Sequence, residues 1–148
     1  MHLQQKEASL RIHGPDLIPA EITESLGVTP DSSHRAGDPH VGPTGRVYSP
    51  RSSGMWSLQA ADPQASLEDL LRNVLDRSNL TPALAEEFRR RGFSMDCFVG
   101  LFAEGGNSMW ALSPELMKRL GDLGLPLVLD VYARRSESRR GRLLSRRI

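Results

Sequence analysis

A chain of 148 residues, 39% hydrophobic and 25% charged with one cysteine, can bury a core large enough to need no disulfide framework or structural metal. No apolar run reaches membrane-span length and the opening MHLQQKEASL lacks a signal-type core, so no membrane partner and a cytoplasmic location are expected. The net charge of +1 hides an asymmetry: residues 1–133 carry 12 Lys+Arg against 17 Asp+Glu, a balance of −5, whereas residues 134–148 carry seven arginines against one glutamate, a balance of +6.

Ala8, Leu10 and Ile12 alternate with Ser9, Arg11 and His13, the period of a strand with one buried face. After the turn Gly14-Pro15-Asp16, Pro19 suits the first position of a helix and Gly27 the residue just past its end, with Ile22 and Leu26 on one face. The stretch SSHRAGDPHVGPTGR, Ser32 to Arg46, is polar and rich in Gly and Pro, and reads as a connection that holds no regular element. RVYS and MWSLQ, on either side of PRSSG, read as the two strands of a hairpin pinned to the core by Tyr48, Trp56 and Leu58.

Ser66 and Asp69 form a capping-box pattern before an apolar stripe of Leu67, Leu70, Leu71, Val74 and Leu75. Thr81 and Pro82 restart the helix, with Leu84, Ala85 and Phe88 inward and Gly92 as its stop. FSMDCFVGLFAE puts Phe93, Met95, Cys97, Val99, Leu101 and Ala103 on one face and Phe98 and Phe102 on the other. That pattern predicts a central strand covered on both sides. Ser113, Pro114 and Glu115 open a further helix with Leu116, Met117, Leu120 and Leu123 inward and Gly124 at its end, and LPLVLDVYA is the last strand. The order β-α-β-β-α-β-α-β predicts an α+β domain over residues 1–133, with helices packed on a mainly antiparallel sheet and a partly ferredoxin-like order in its first six elements. Residues 134–148 form a basic tail, either flexible or a short helix.

Few residues carry a chemical motif. His34, Asp38 and His40 are metal-ligand types, but they sit on a Gly/Pro loop without a thiol or a His-x-x-x-His spacing, so surface histidines are the expected reading and no cofactor is expected. GPTGR lacks the Gly-Lys-Ser/Thr end of a phosphate loop. Cys97 lies in the most apolar strand, where a thiol behaves as a small hydrophobe, and no Gly-x-Ser-x-Gly elbow is present. His13 and Asp16 could form an acid–base pair or a turn hydrogen bond. Asp96 and Asp130 could share a sheet face if their strands adjoin. Arg134, Arg135, Arg139 and Arg140 head a tail that could neutralise phosphates, although no aromatic is interleaved for base stacking.

The segments LRIHG, IPAEITESLGVTP, RAG, MWSLQA, SLEDLLRNVLD and LSPELMKRLGDLGLPLVLDVYA together resemble the bacterial domain-of-unknown-function family 4279 over residues 8–133. Ile18 departs from the acid that this family tends to place there, which leaves the first helix without a good N-cap. The resemblance implies neither an activity nor a cofactor, and it associates the chain with immunity-type or partner-binding proteins. The leading expectation is therefore a non-catalytic protein-binding module, whose acidic body would steer a basic partner. Its candidate contact residues are His34, Arg35, Asp38, His40 and Arg46 in the long connection and Arg134, Arg135, Arg139 and Arg140 in the tail. The alternatives are a small enzyme using His13 and Asp16 with His34 or His40 in one cleft, and nucleic-acid binding through the tail.

Overall fold

The computed structural model describes residues 5–104 and 109–134. Its elements are β1 (Gln5–Gly14), α1 (Pro19–Leu26), β2 (Ser32–His34), β3 (His40–Val41), β4 (Val47–Tyr48), β5 (Gly54–Ala61), α2 (Leu67–Ser78), α3 (Pro82–Arg90), β6 (Ser94–Glu104), α4 (Pro114–Leu123) and β7 (Leu127–Arg134). Five strands form one sheet in the order β2-β5-β1-β6-β7, and β3 pairs with β4 in a separate two-stranded ribbon. Every pairing is antiparallel except β6 with β7. Thus β1 and β2 run the same way with β5 between them, and β5 and β6 run the same way with β1 between them. Two interlocked split βαβ units result, which is the ferredoxin-like arrangement, and α4 with β7 extends it by one parallel strand.

The alternation of β1 decides which face carries the core. Ala8, Leu10 and Ile12 are fully buried, as are Trp56 and Leu58 on β5 and Cys97, Val99 and Leu101 on β6. Leu70, Leu71, Val74 and Leu75 of α2, Phe88 of α3 and Leu116 of α4 join them in one cluster. Caps and turn residues act where the sequence places them. Ser66, Thr81 and Ser113 accept from the backbone N–H of Asp69, Leu84 and Leu116, while Ile18 supplies no cap and α1 starts on Pro19 alone. Gly27 and Gly124 are left-handed beyond α1 and α4. Asn79 plays the same part for α2 at φ 57°, and its side-chain amide donates to the Leu26 carbonyl at 3.1 Å, tying α2 to the end of α1.

Four expectations are corrected. The stretch Ser32–Arg46 does hold strands: β2 pairs with β5, and β3 pairs with β4. RVYS and MWSLQ therefore do not form a hairpin with each other, and Tyr48 lies outside the core at 44% exposure while Trp56 and Leu58 are fully buried. β5 takes Ser32–His34 as its partner because Asp31 clips the two segments together. Its N–H donates to the Ser57 carbonyl, and its carboxylate accepts from the Gln59 N–H and from Arg77 of α2. In addition, among the described residues the second face of β6 carries no helix and stays partly open, with Phe102 46% exposed. The Arg11 guanidinium lies 4.2 Å from the Phe98 ring centre, and Phe102 stacks on Tyr132 at 5.1 Å. Met117, expected inward, is exposed on α4 because its neighbours Leu116 and Leu120 take the buried stripe.

Gly54 pairs with Gly14 in the register and packs under the turn after β1. A Cβ there would collide with the Leu17 carbonyl oxygen, whereas nothing lies within 4 Å of a Cβ at Gly100. Urea unfolding should show Gly54→Ala destabilised by roughly 1–3 kcal/mol and Gly100→Ala within about 0.5 kcal/mol of the parent.

Candidate functional site

Residues 32–57 form one long, interrupted hairpin that leaves the sheet edge. Its base is β2 on β5, with Ser32 opposite Ser57 and His34 opposite Met55. The strands then part and re-pair through Gly37 N–H to the Arg51 carbonyl at 2.7 Å and Arg51 N–H to the Asp38 carbonyl at 3.0 Å. Asp38 sets the kink locally, since its carboxylate accepts from the Arg35 N–H at 2.7 Å and its own N–H donates to the Arg35 carbonyl. Pro39 and Pro50 have no N–H to give the ladder, which keeps this middle section irregular. Beyond it β3 and β4 pair His40 with Tyr48 and Val41 with Val47, and the tip turns through Gly42–Arg46 with Gly45 at φ 82°.

The ribbon exposes its apolar residues: Val41 is 57%, Val47 76% and Tyr48 44% exposed. The His40 ring lies against Tyr48 with centres 4.8 Å apart, and the Arg46 guanidinium sits 5.2 Å from the same ring. Tyr48 is thus held between two side chains rather than by a core.

Between the hairpin and the sheet lies a cavity of about 390 Å³. β1 contributes Arg11 and His13, β2 His34, β3 His40, and the crossing before β5 contributes Arg51, Ser52 and Ser53. The register explains the convergence: His34 lies opposite Met55, and Met55 opposite His13, so they form one row across the helix-free face. Arg11 stands on the same face and is held by Asp96 through two hydrogen bonds of 2.8 and 2.7 Å. Both ring nitrogens of His34 are buried and make no full hydrogen bond, only a weak contact with the Ser53 backbone. Burial, and then the nearby Arg51 charge, hold its pKa below the ordinary 6.5, with the Ser53 backbone and Asp38 offsetting part of the effect. The imidazole is neutral at neutral pH, able to donate from one nitrogen and accept at the other.

The candidate residues distribute as follows. His13, His34 and His40 meet at this cavity, but Asp16 lies on the exposed turn after β1 and does not line it. Asp96 and Asp130 do share a sheet face, but Asp130 is level with Gly100, four residues along β6 from Asp96. At the rise of a strand that is roughly 13 Å, and Asp96 is already engaged by Arg11. The Cys97 thiol is pushed up to about 12, chiefly by burial and then by the Asp96 charge. Among the described residues no group of three or more His, Cys, Asp or Glu could hold a metal ion. Arg35 and Arg46 are exposed on the hairpin. The backbone of Arg134 closes β7, while Arg135, Arg139 and Arg140 lie outside the described residues. Among the described residues no helix is long and apolar enough to cross a membrane.

Arg11 and Arg51 are the site residues that the sequence did not single out. The alternation of β1 puts Arg11 on the face of His13, but only the strand pairing brings both beneath the hairpin. Residues 4–134 match a family model described as Domain of unknown function (DUF4279). No curated protein and no solved structure matches the chain.

The environment of His34 has a consequence for stability. Its folded-state pKa is depressed, so the unfolded chain binds the proton first as pH falls. His34 should therefore favour unfolding as pH drops through 6.5 and add no slope above it. Urea unfolding of His34→Gln should show a flatter pH dependence below 6.5 than the parent and the same slope above it.

Proposed function

Since the chain belongs to the DUF4279 family, described only as a domain of unknown function, we propose its role from geometry: it is a non-catalytic protein-binding module that engages its partner through the β3–β4 ribbon. The observation that carries this reading is the exposure of Val41 and Val47, a cross-strand pair on one face of an arm that projects from the sheet edge, with Tyr48 exposed on its other face. A ribbon with such residues outward forgoes their burial, which a partner's surface would restore. Tyr48, steadied by His40 and Arg46, has the composition of an interface anchor: a rigid aromatic with an arginine beside it.

The local charge selects the partner. Residues 32–55 carry three arginines and one aspartate, a balance of +2, opposite in sign to residues 1–133 as a whole. An arm of this sign fits an acidic surface with an apolar centre, in place of the basic partner that the whole-domain balance suggested.

Copurification from the native host at low salt should recover an acidic protein in stoichiometric amount. Val47→Asp should release it and Tyr48→Ala should weaken it by about tenfold or more, while Met117→Asp on α4 should retain it. The reading fails if no stoichiometric partner is recovered, or if the partner is indifferent to the ribbon substitutions.

A further inference from the structure

The cavity beneath the hairpin has a chemistry of its own, separate from the ribbon's outer surface. It is lined by two guanidinium groups and three imidazoles, drawn from β1, β2, β3 and the crossing before β5, and no carboxylate lines it. Of the two arginines, Arg11 is neutralised by the Asp96 carboxylate. Arg51 is different: among the described residues no carboxylate lies within ion-pair distance of its side chain. Its backbone, by contrast, is fixed on both sides by the Gly37 and Asp38 hydrogen bonds, so the side chain starts from a rigid point. His34 adds two ring nitrogens shielded from water that make no full hydrogen bond, only a weak contact with the Ser53 backbone. A buried polar group so weakly partnered carries much of the cost of its lost hydration, and a ligand that supplies a full hydrogen bond lowers that cost.

From this arrangement we propose that the cavity is a binding site for a small oxyanion, a carboxylate or phosphate head group held by Arg51 with His34, His13 and His40 as hydrogen-bonding partners. A cation is disfavoured because, among the described residues, the Arg51 guanidinium lines the space uncompensated and no carboxylate does. A purely apolar ligand would leave the His34 nitrogens unpaired and Arg51 desolvated. The volume of about 390 Å³ admits a head group with a short carbon skeleton. His13 and His34 come from strands locked by the sheet register and the Arg51 backbone is held by two hydrogen bonds, so the part left to order when the ligand enters is His40 on the separate β3–β4 ribbon. The role of Arg11 is to position: paired with Asp96 and laid over Phe98, it forms the floor against which the ligand packs.

The test uses the full chain and follows the histidine ring resonances by NMR. One arm titrates sodium phosphate and the other sodium succinate, with sodium chloride holding the ionic strength constant. At least one arm should give saturable shifts of the His34 resonances together with those of His13 and His40, and the arm that saturates identifies the head group. Arg51→Gln should weaken the apparent Kd by about tenfold, and Lys118→Gln, on the far side of the core, should leave it unchanged. His34→Gln provides a second variant, which should also weaken binding while the remaining spectrum stays dispersed. The proposal is overturned if neither titration saturates, or if Arg51→Gln and His34→Gln bind as tightly as the parent. No second protein is present in this titration, so its outcome stands apart from that of the ribbon's partner.

Discussion

The alternation of side chains along β1 is the constraint on which the rest of the molecule depends. This strand lies between β5 and β6 and is paired on both edges. Its even-numbered residues, Ala8, Leu10 and Ile12, are fully buried under the helices, and its odd-numbered residues Arg11 and His13 face the side that carries no helix. A slip of one residue would exchange those sets, placing an arginine and a histidine in the apolar core. The Arg11–Asp96 pair reinforces the register from the open face, because its two-pronged geometry forms only when those residues stand opposite each other, as they do here. Core and cavity are therefore two consequences of a single pleat.

Around that strand, polar clamps fasten the connections. Asn79 joins the end of α2 to the end of α1, and an Arg89 side chain donates to the Leu123 carbonyl at the end of α4. Glu68 accepts from the Ser113 N–H at the start of α4, with Arg72 bonded to the Ser113 hydroxyl; that backbone hydrogen bond is the main reason its carboxyl is held below the usual range. Asp31 does the same for the entry to the long hairpin, and its carboxyl is likewise lowered by the Gln59 N–H. The β3–β4 ribbon lies beyond these clamps. Its two strands pair with each other alone, so what steadies its tip is local: the Tyr48 ring between His40 and Arg46 and the turn at Gly45. An arm built this way can present side chains without altering the domain that carries it.

The helices were legible because their signals are local. A capping serine or threonine, a proline at the first position and a glycine past the end act within one turn, and α1 to α4 begin and end close to where those residues stand. The strands with apolar alternation were legible for the same reason. The short strands β2 and β3 were not, since Ser32–His34 and His40–Val41 bury little apolar surface and owe their form to cross-strand partners, on β5 well along the chain for β2 and on β4 across the Gly42–Arg46 turn for β3. The Tyr48–Trp56 pairing failed on the same point. Both segments have strand character, yet which strands pair is decided by the Asp31 clip, a contact among β5, α2 and the loop that follows α1.

The sequence by itself determined the α+β class, the helix boundaries, the buried face of the central strands and the inert setting of Cys97, because each follows from periodicity or from a residue's immediate neighbours. The tertiary structure alone decided the rest. Strand pairing, a relation between distant residues, set His13 and Arg11 beside His34, His40 and Arg51 and left Asp16 outside. It also turned a glycine- and proline-rich connection into one side of a hairpin with an exposed tyrosine near its tip. Composition alone could not reveal either outcome, because a histidine's chemistry depends on what faces it, and that is a property of the fold.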